Sequence, residues 1–249
     1  MTHVYQERLC LFLDILGFSA LVKSEECDVV HEVVCKIKDE LESNKEFMIK
    51  IGNDPIATTF SDCIVLSLEA KKVDVENAAN ILVTATVKML QDTYLNQKIA
   101  MRGGISYGKL YHGSDSVFGP AMIRAYELES QFAGWPRVIF DRSVIEYFKD
   151  KNGLPSIGFT NYGDGFWGVD CLNRIEDILS FEKRCLFDSE VAGEELTKLS
   201  SVNYITQNKL TEHYGNPKVY SKYLKLNERI HSLMNKYGQI QKTIHDLNE

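Results

Sequence analysis

The run Leu9-Cys10-Leu11-Phe12-Leu13-Asp14-Ile15-Leu16 is apolar at every position but one, and Gly17-Phe18-Ser19 follows it directly. A short continuous apolar run closed by glycine reads as a buried strand that ends in a turn leading into a helix. The single acid is the informative residue, because a carboxylate beside such a strand is costly without a partner. A second acid sits in a similar setting. Ile56-Ala57-Thr58-Thr59-Phe60 and Cys63-Ile64-Val65-Leu66-Ser67 flank Ser61-Asp62, the pattern of a hairpin with a tight polar turn. One acid at a strand end is often a cap or a turn residue. Two acids on strands expected to be neighbours repel each other unless a cation lies between them, and such hard oxygen ligands suit Mg²⁺ or Mn²⁺.

The rest of the pattern places these strands in a fold. Helical periodicity runs from about Asp28 to Met48 and again from about Asp74 to Leu95. Ile99 to Tyr107 and Leu110 to His112 read as two strands around Gly108. A third helix is expected from Gly119 to Phe132, then a strand at Arg137 to Phe140, a short helix at Ser143 to Phe148 and a closing strand at Phe166 to Val169. This is an α+β order: a ferredoxin-like βαββαβ core, with an antiparallel sheet and helices on one face. The core is expected to occupy residues 1–185. Residues 186–249 read as a helical extension in two stretches, Glu190 to His213 and Val219 to Leu247, broken at Gly215-Asn216-Pro217. In the second stretch Leu224, Ile230, Leu233, Tyr237, Ile240, Ile244 and Leu247 recur at helix-like intervals. They favour packing on the core or on a partner copy over a signalling coiled coil, because no strict heptad is sustained.

Composition narrows the function classes. A net charge of −7 over 249 residues offers no basic field for duplex DNA or an anionic membrane, although a metal-bound nucleotide remains a reasonable ligand. The six cysteines have no paired spacing and sit singly among apolar residues, which suits buried free thiols in a reducing compartment. The six histidines show no metal-ligand spacing. With no secretory signal and no apolar run of membrane-spanning length, the expected location is the cytoplasm.

Three further segments carry polar or conformational information. The turn Ile15-Leu16-Gly17-Phe18-Ser19-Ala20 can hold the outer phosphates of a triphosphate on backbone N–H groups, a weak signal when taken alone. Met101-Arg102-Gly103-Gly104-Ile105-Ser106-Tyr107-Gly108 sets an arginine before paired glycines. Arg102 there either contacts a base or phosphate or forms an ion pair beside the sheet. In Val117-Phe118-Gly119-Pro120-Ala121-Met122-Ile123-Arg124-Ala125-Tyr126-Glu127-Leu128-Glu129-Ser130, Arg124 either serves a ligand or pairs with Glu127 or Glu129.

Taken in order, FLDILGFSALV, FSDCIVLS, MRGGISYGKLYHG and VFGPAMIRAYELES resemble the class III nucleotidyl cyclase catalytic domain over about residues 9 to 170. The RGGIS version with a helical extension is most similar to the bacterial pyrimidine cyclases of the Pycsar anti-phage system, which make cyclic UMP or cyclic CMP as an alarm signal. The resemblance implies that Asp14 and Asp62 are the two metal-binding aspartates, with Ile15 adding a backbone carbonyl, for two Mg²⁺ or Mn²⁺ ions per active site. It implies phosphate binding at Gly17 and Phe18. It also implies a homodimer whose composite sites set Asp14 and Asp62 of one copy against Thr58, Arg102, Ser116 and Arg124 of the other.

Departures from the purine cyclases bear on the substrate. The adenine-reading lysine falls on Thr58 and its aspartate partner on Ser116, two short hydroxyl side chains that suit a smaller ring. The transition-state asparagine falls on Ile123 and the arginine on Glu127, so Arg124 is the candidate replacement cation. The expected activity is conversion of UTP or CTP to the 3′,5′-cyclic nucleotide and pyrophosphate. The alternatives are a purine cyclase with an unusual pocket and an inactive cyclase-like module that binds a nucleotide.

Overall fold

A computed structural model describes residues 4–70, 75–148, 159–185 and 189–247. Strand β1 (Gln6–Ile15) leads through a glycine turn to helices α1 (Phe18–Ser24) and α2 (Cys27–Lys50). The hairpin β2 (Pro55–Phe60) and β3 (Cys63–Glu69) follows, then α3 (Val75–Gln97) and β4 (Met101–His112). Strand order β2-β3-β1-β4, with antiparallel neighbours, realises the ferredoxin-like core. A short β5 (Val117–Phe118) folds back on β4, and α4 (Pro120–Glu127) comes next. The sheet then extends through β6 (Val138–Phe140) and, after α5 (Arg142–Phe148), through β7 (Thr160–Asn161) and β8 (Trp167–Val169). Helices α6 (Asn173–Cys185), α7 (Ser189–Glu212) and α8 (Pro217–Leu247) complete the chain.

Strand β1 is apolar from Leu9 to Leu13 because both of its faces are covered there. Leu9, Leu11, Leu13 and Ile15 point into the large core with α3, whereas Cys10 and Phe12 pack with Val65, Leu110, Ala121 and Ala125 under α4. The expectation of helices on one face alone is therefore corrected. Paired glycines make the second layer fit. A Cβ on Gly104 would stand 2.5 Å from the Ala125 carbonyl oxygen and 2.5 Å from Leu128 Cβ, so α4 reaches the sheet only over a residue without a side chain. Gly104→Ala is expected to cost about 3 kcal/mol, the upper end for overpacking, read as a lowered urea midpoint at unchanged slope.

Four other sequence expectations change. The two strands around Gly108 are one strand, because Gly108 takes φ 153, a conformation that keeps the ladder running. Strand β6 lies parallel to β4, so the sheet is mixed. The helix expected to reach Phe132 ends at Glu127 and continues as a π-helical turn over Leu128–Phe132. Helix α6 was not expected.

The C-terminal helices share the main core. Leu199, Val202, Leu226, Ile230, Leu233 and Tyr237 are buried in the same cluster as β1 and α3. The hydroxyls of Tyr94 and Thr206 bond at 2.8 Å, and Arg229 on α8 bridges Asp170 at 3.2 Å and Glu176 at 2.5 Å. Leu224 is partly exposed. The side chains of Ile240, Ile244 and Leu247, and residues 186–188 at the expected boundary, lie outside what is described.

Candidate active site

The antiparallel register sets the site. Asp14 pairs with Cys63 on β3 and with Arg102 on β4, so three functional side chains share one face at one end of the sheet. Asp62 is the turn residue beside Cys63, and its carbonyl accepts the Ile15 N–H at 3.3 Å. Among the described residues, ligand atoms of Asp14, Asp62 and Cys63 all lie within 4.8 Å of one another. Burial pushes the Asp14 carboxyl above the usual range; Arg102 opposes this and the Asp62 charge adds to it. Burial, then the charges of Asp62, Asp14 and Glu129, push the Cys63 thiol up to about 12. In the metal-free site the thiol stays protonated at neutral pH and donates to Asp14 Oδ1 at 3.9 Å, and hard cations favour the carboxylate oxygens over its sulfur. What remains is a pair of hard carboxylates in need of a cation, a donor set that fits Mg²⁺ or Mn²⁺.

Arg102 lies in the same copy as these acids. Its guanidinium donates to Asp14 Oδ2 at 3.3 Å and lies 2.7 Å from Glu129 Oε1, so the expectation of Arg102 facing the acids from the partner copy is corrected. Glu129, which the sequence offered only as a possible partner of Arg124, sits in the π-helical turn with its side chain 4% exposed. Burial pushes its carboxyl up to about 7, with Arg102 pulling it down and Asp14 raising it.

Gly17 takes φ 85, the left-handed conformation that lets the chain leave β1 and enter α1 at once. The turn Ile15 to Ala20 lines a cavity of about 640 Å³ together with Asp14, Asp62 and Arg102. The Phe18 side chain is buried in the core, so what this residue offers a ligand is its backbone. Asn216, Lys218 and Lys222 of the α8 entry also line it. Sequence reading had treated that segment only as packing.

The remaining sequence candidates lie elsewhere. Arg124 on α4 donates from Nε to Asp141 Oδ1 at 2.6 Å and from Nη1 to Glu127 Oε2 at 3.2 Å, and its side chain is 41% exposed. Ser116, in the turn between β4 and β5, donates to Asp115 at 3.2 Å. Thr58 Oγ1 lies 3.0 Å from His112 Nε2. His112 Nδ1 is 2.7 Å from Ser67 Oγ, which accepts from Arg8 Nε at 2.9 Å. Nothing local marked this buried relay, because its members come from four strands.

Burial, with Arg8 adding to it, holds the His112 imidazole down to about 4. A lowered folded pKa leaves His112 neutral while the unfolded chain protonates near 6.5. Stability is therefore lost as the pH falls from about 6.5 to 4, by at most about 3 kcal/mol. Unfolding curves of the protein and of His112→Asn across that window should converge towards pH 4. A difference independent of pH would remove the assignment.

A scan against protein-family models finds no match, and a search of curated proteins finds none. Solved structures do match. The catalytic core of a rhodopsin-guanylyl cyclase with converted specificity, in complex with ATPαS, aligns at TM-score 0.51 and 16% identity, over 67% of this chain and 97% of that one. An adenylate/guanylate cyclase/hydrolase from Silicibacter pomeroyi aligns at TM-score 0.47 and 18% identity, over 67% and 98%. A bacterial light-regulated adenylyl cyclase aligns at 0.45 and 17%, over 68% of this chain and 51% of that chain. The fold is that of a class III nucleotidyl cyclase catalytic core. To it this chain adds three C-terminal helices, and none of its described helices is long and apolar enough to cross a membrane.

Proposed function

We propose that this chain is a metal-dependent nucleotide cyclase that works as a homodimer and converts UTP or CTP to the 3′,5′-cyclic nucleotide and pyrophosphate. The observation that carries the reading is the convergence of Asp14 and Asp62 at the mouth of a cavity whose floor is the Gly17 turn. Asp14, Asp62 and the Ile15 carbonyl would hold the divalent cations, which when bound would supply Lewis-acid activation of the ribose 3′-hydroxyl and charge neutralisation at the phosphates. The ribose 3′-oxygen bonds to the α-phosphorus as its bond to the bridging oxygen breaks; the hydroxyl proton passes to solvent water, and pyrophosphate leaves in line. The Gly17 turn orients the outer phosphates by its backbone.

Two features support a dimer. Phe60, Ile123 and Tyr126 are 81%, 60% and 51% exposed; Phe60 shares the sheet face of Asp14, and Ile123 and Tyr126 lie on α4, which covers that face. Large apolar groups left in water on one face suit burial against a second copy. Arg124 pairs with Asp141 and Glu127 of its own copy but its side chain is 41% exposed, and in the dimer it is the cation offered to the partner's α-phosphate. Thr58 and Ser116 read the base with short hydroxyls where a purine-reading site carries longer charged groups. The role of the product as an alarm signal in anti-phage defence rests on the sequence resemblance.

The test is incubation with each of the four ribonucleoside triphosphates and Mn²⁺, followed by detection of cyclic product and pyrophosphate. UTP or CTP should be turned over well above ATP and GTP. A purine product would instead establish the unusual-pocket alternative, and no product from any of the four would leave an inactive nucleotide-binding module. Mixed Asp14→Ala and Arg124→Ala proteins, each inactive alone, should regain activity through heterodimers. No rescue despite subunit exchange would remove Arg124 from the composite site.

A further inference from the structure

The cavity beside the acids is also lined by cations that the metal site does not explain. With Asp14 and Asp62, the lining of this space of about 640 Å³ includes Lys218 and Lys222, spaced i, i+4 on the first turns of α8. That spacing sets both ammonium groups on one side of the helix, where they repel each other. Burial, then the charges of Arg102 and Lys218, lower the Lys222 ammonium, while Asp14 and Glu129 partly offset them. Neither lysine makes a side-chain hydrogen bond or ion pair among the described residues, a property shared by several other lysines of the chain; what sets these two apart is the cavity they line. In a chain of net charge −7, the gathering of Lys218 and Lys222 with Lys23 and Arg102 around one cavity calls for an anionic ligand.

Their position is not a loose surface arrangement. Tyr223, Leu226, Ile230 and Leu233 of the same helix are buried in the core. Arg229 locks α8 to Asp170 and Glu176. Asn216 Oδ1 accepts the Val219 N–H at 3.4 Å where the helix begins. The two lysines are therefore presented from a fixed element, with their side chains free to adjust.

We propose that Lys218 and Lys222 bind the β- and γ-phosphates of the substrate in the same copy that supplies Asp14 and Asp62, so that the C-terminal helices complete the active site. This rests on the cyclase reading. Carboxylates and cations lining one cavity match a metal–polyphosphate ligand: metal ions would lie against the acids, and the outer phosphate oxygens would reach the lysines as charge-assisted acceptors. A monophosphate bound to the metal has no outer phosphate left for the lysines.

The experiment is calorimetric titration of inorganic pyrophosphate, and of a nucleoside monophosphate as control, into the protein and into Lys218→Gln/Lys222→Gln in the presence of Mn²⁺. The double variant should lose at least tenfold in pyrophosphate affinity, keep its weak monophosphate binding, keep its Mn²⁺ affinity and unfold at an unchanged or slightly higher temperature. Lys222→Arg should recover part of the loss. Unchanged pyrophosphate affinity in the double variant, with a parent protein that binds it, would overturn the proposal, as would a parent protein that binds none. Lysine-dependent pyrophosphate binding by a protein that cyclises none of the four triphosphates would uphold the clamp and remove the cyclase reading.

Discussion

Asp62→Ala protein is expected to make cyclic nucleotide at least on the order of a thousandfold more slowly than the parent, while folding as well as it does. The activity loss follows from the donor set. With Cys63 protonated, removal of Asp62 leaves Asp14 as the one carboxylate of the cluster, and Asp14 Oδ2 is already engaged by Arg102. The retained stability follows from electrostatics. Asp62 is one of the charges that raise the Asp14 pKa. A carboxylate with a raised folded pKa costs stability above that pKa and regains it as the pH falls. Removing the neighbouring charge therefore stabilises the apo protein at neutral pH by less than about 1 kcal/mol, and the gain fades in acid. Mn²⁺ should raise the unfolding temperature of the parent and leave that of the variant unmoved. Full turnover by Asp62→Ala, or an equal Mn²⁺ shift in both proteins, would dismantle the two-carboxylate site.

The parts of this site that were legible in the sequence are those carried by one short segment. Asp14 stands out because it interrupts an apolar strand, Asp62 because it turns a hairpin, and Gly17 because a strand must reverse there. Each is a local conflict between a residue and its surroundings, and such conflicts survive without coordinates. Register then does what spacing cannot. Asp14 opposite Arg102 and opposite Cys63 is a consequence of which strands pair and by how many residues they slide, so Cys63 read as an ordinary buried thiol. Glu129 was visible only as one acid in a helical pattern, because the π-helical turn that swings it under Arg102 has no composition of its own. Lys218 and Lys222 have no local sequence signal, because only the packing of α8 beside the glycine turn brings them to the cavity. Helix α6 was missed because the reading moved from the closing strand straight to the extension.

Arg102→Met should be the most destabilising of these changes, because it strands a buried charge. The guanidinium stands between Asp14 and Glu129, yet its contact with Glu129 Oε1 at 2.7 Å is not aligned as a hydrogen bond, and that oxygen has no hydrogen-bond partner. Glu129 thus depends on the nearness of a cation more than on directed donors, which is why its carboxyl titrates near 7 even with Arg102 present. Methionine keeps much of the side-chain volume and removes the charge, and breaking a buried pair from one side costs about 3–5 kcal/mol. The sign of the pH dependence separates this cause from lost packing. Glu129 has a folded pKa above its unfolded value, and without Arg102 it rises further; below that pKa the carboxyl is protonated and tolerated, above it the charge must be buried unpaired. The deficit in unfolding free energy should accordingly grow between about pH 6 and pH 9, whereas a packing defect is flat over that range. Adding Glu129→Gln should recover part of the loss at pH 8.5 and little at pH 6, a coupling that a double-mutant cycle in urea reads directly. Arg102→Met protein within about 1 kcal/mol of the parent at pH 8.5 would mean that Glu129 finds its compensation elsewhere, and Lys222, which also lowers the Glu129 pKa, would then be the residue to remove next.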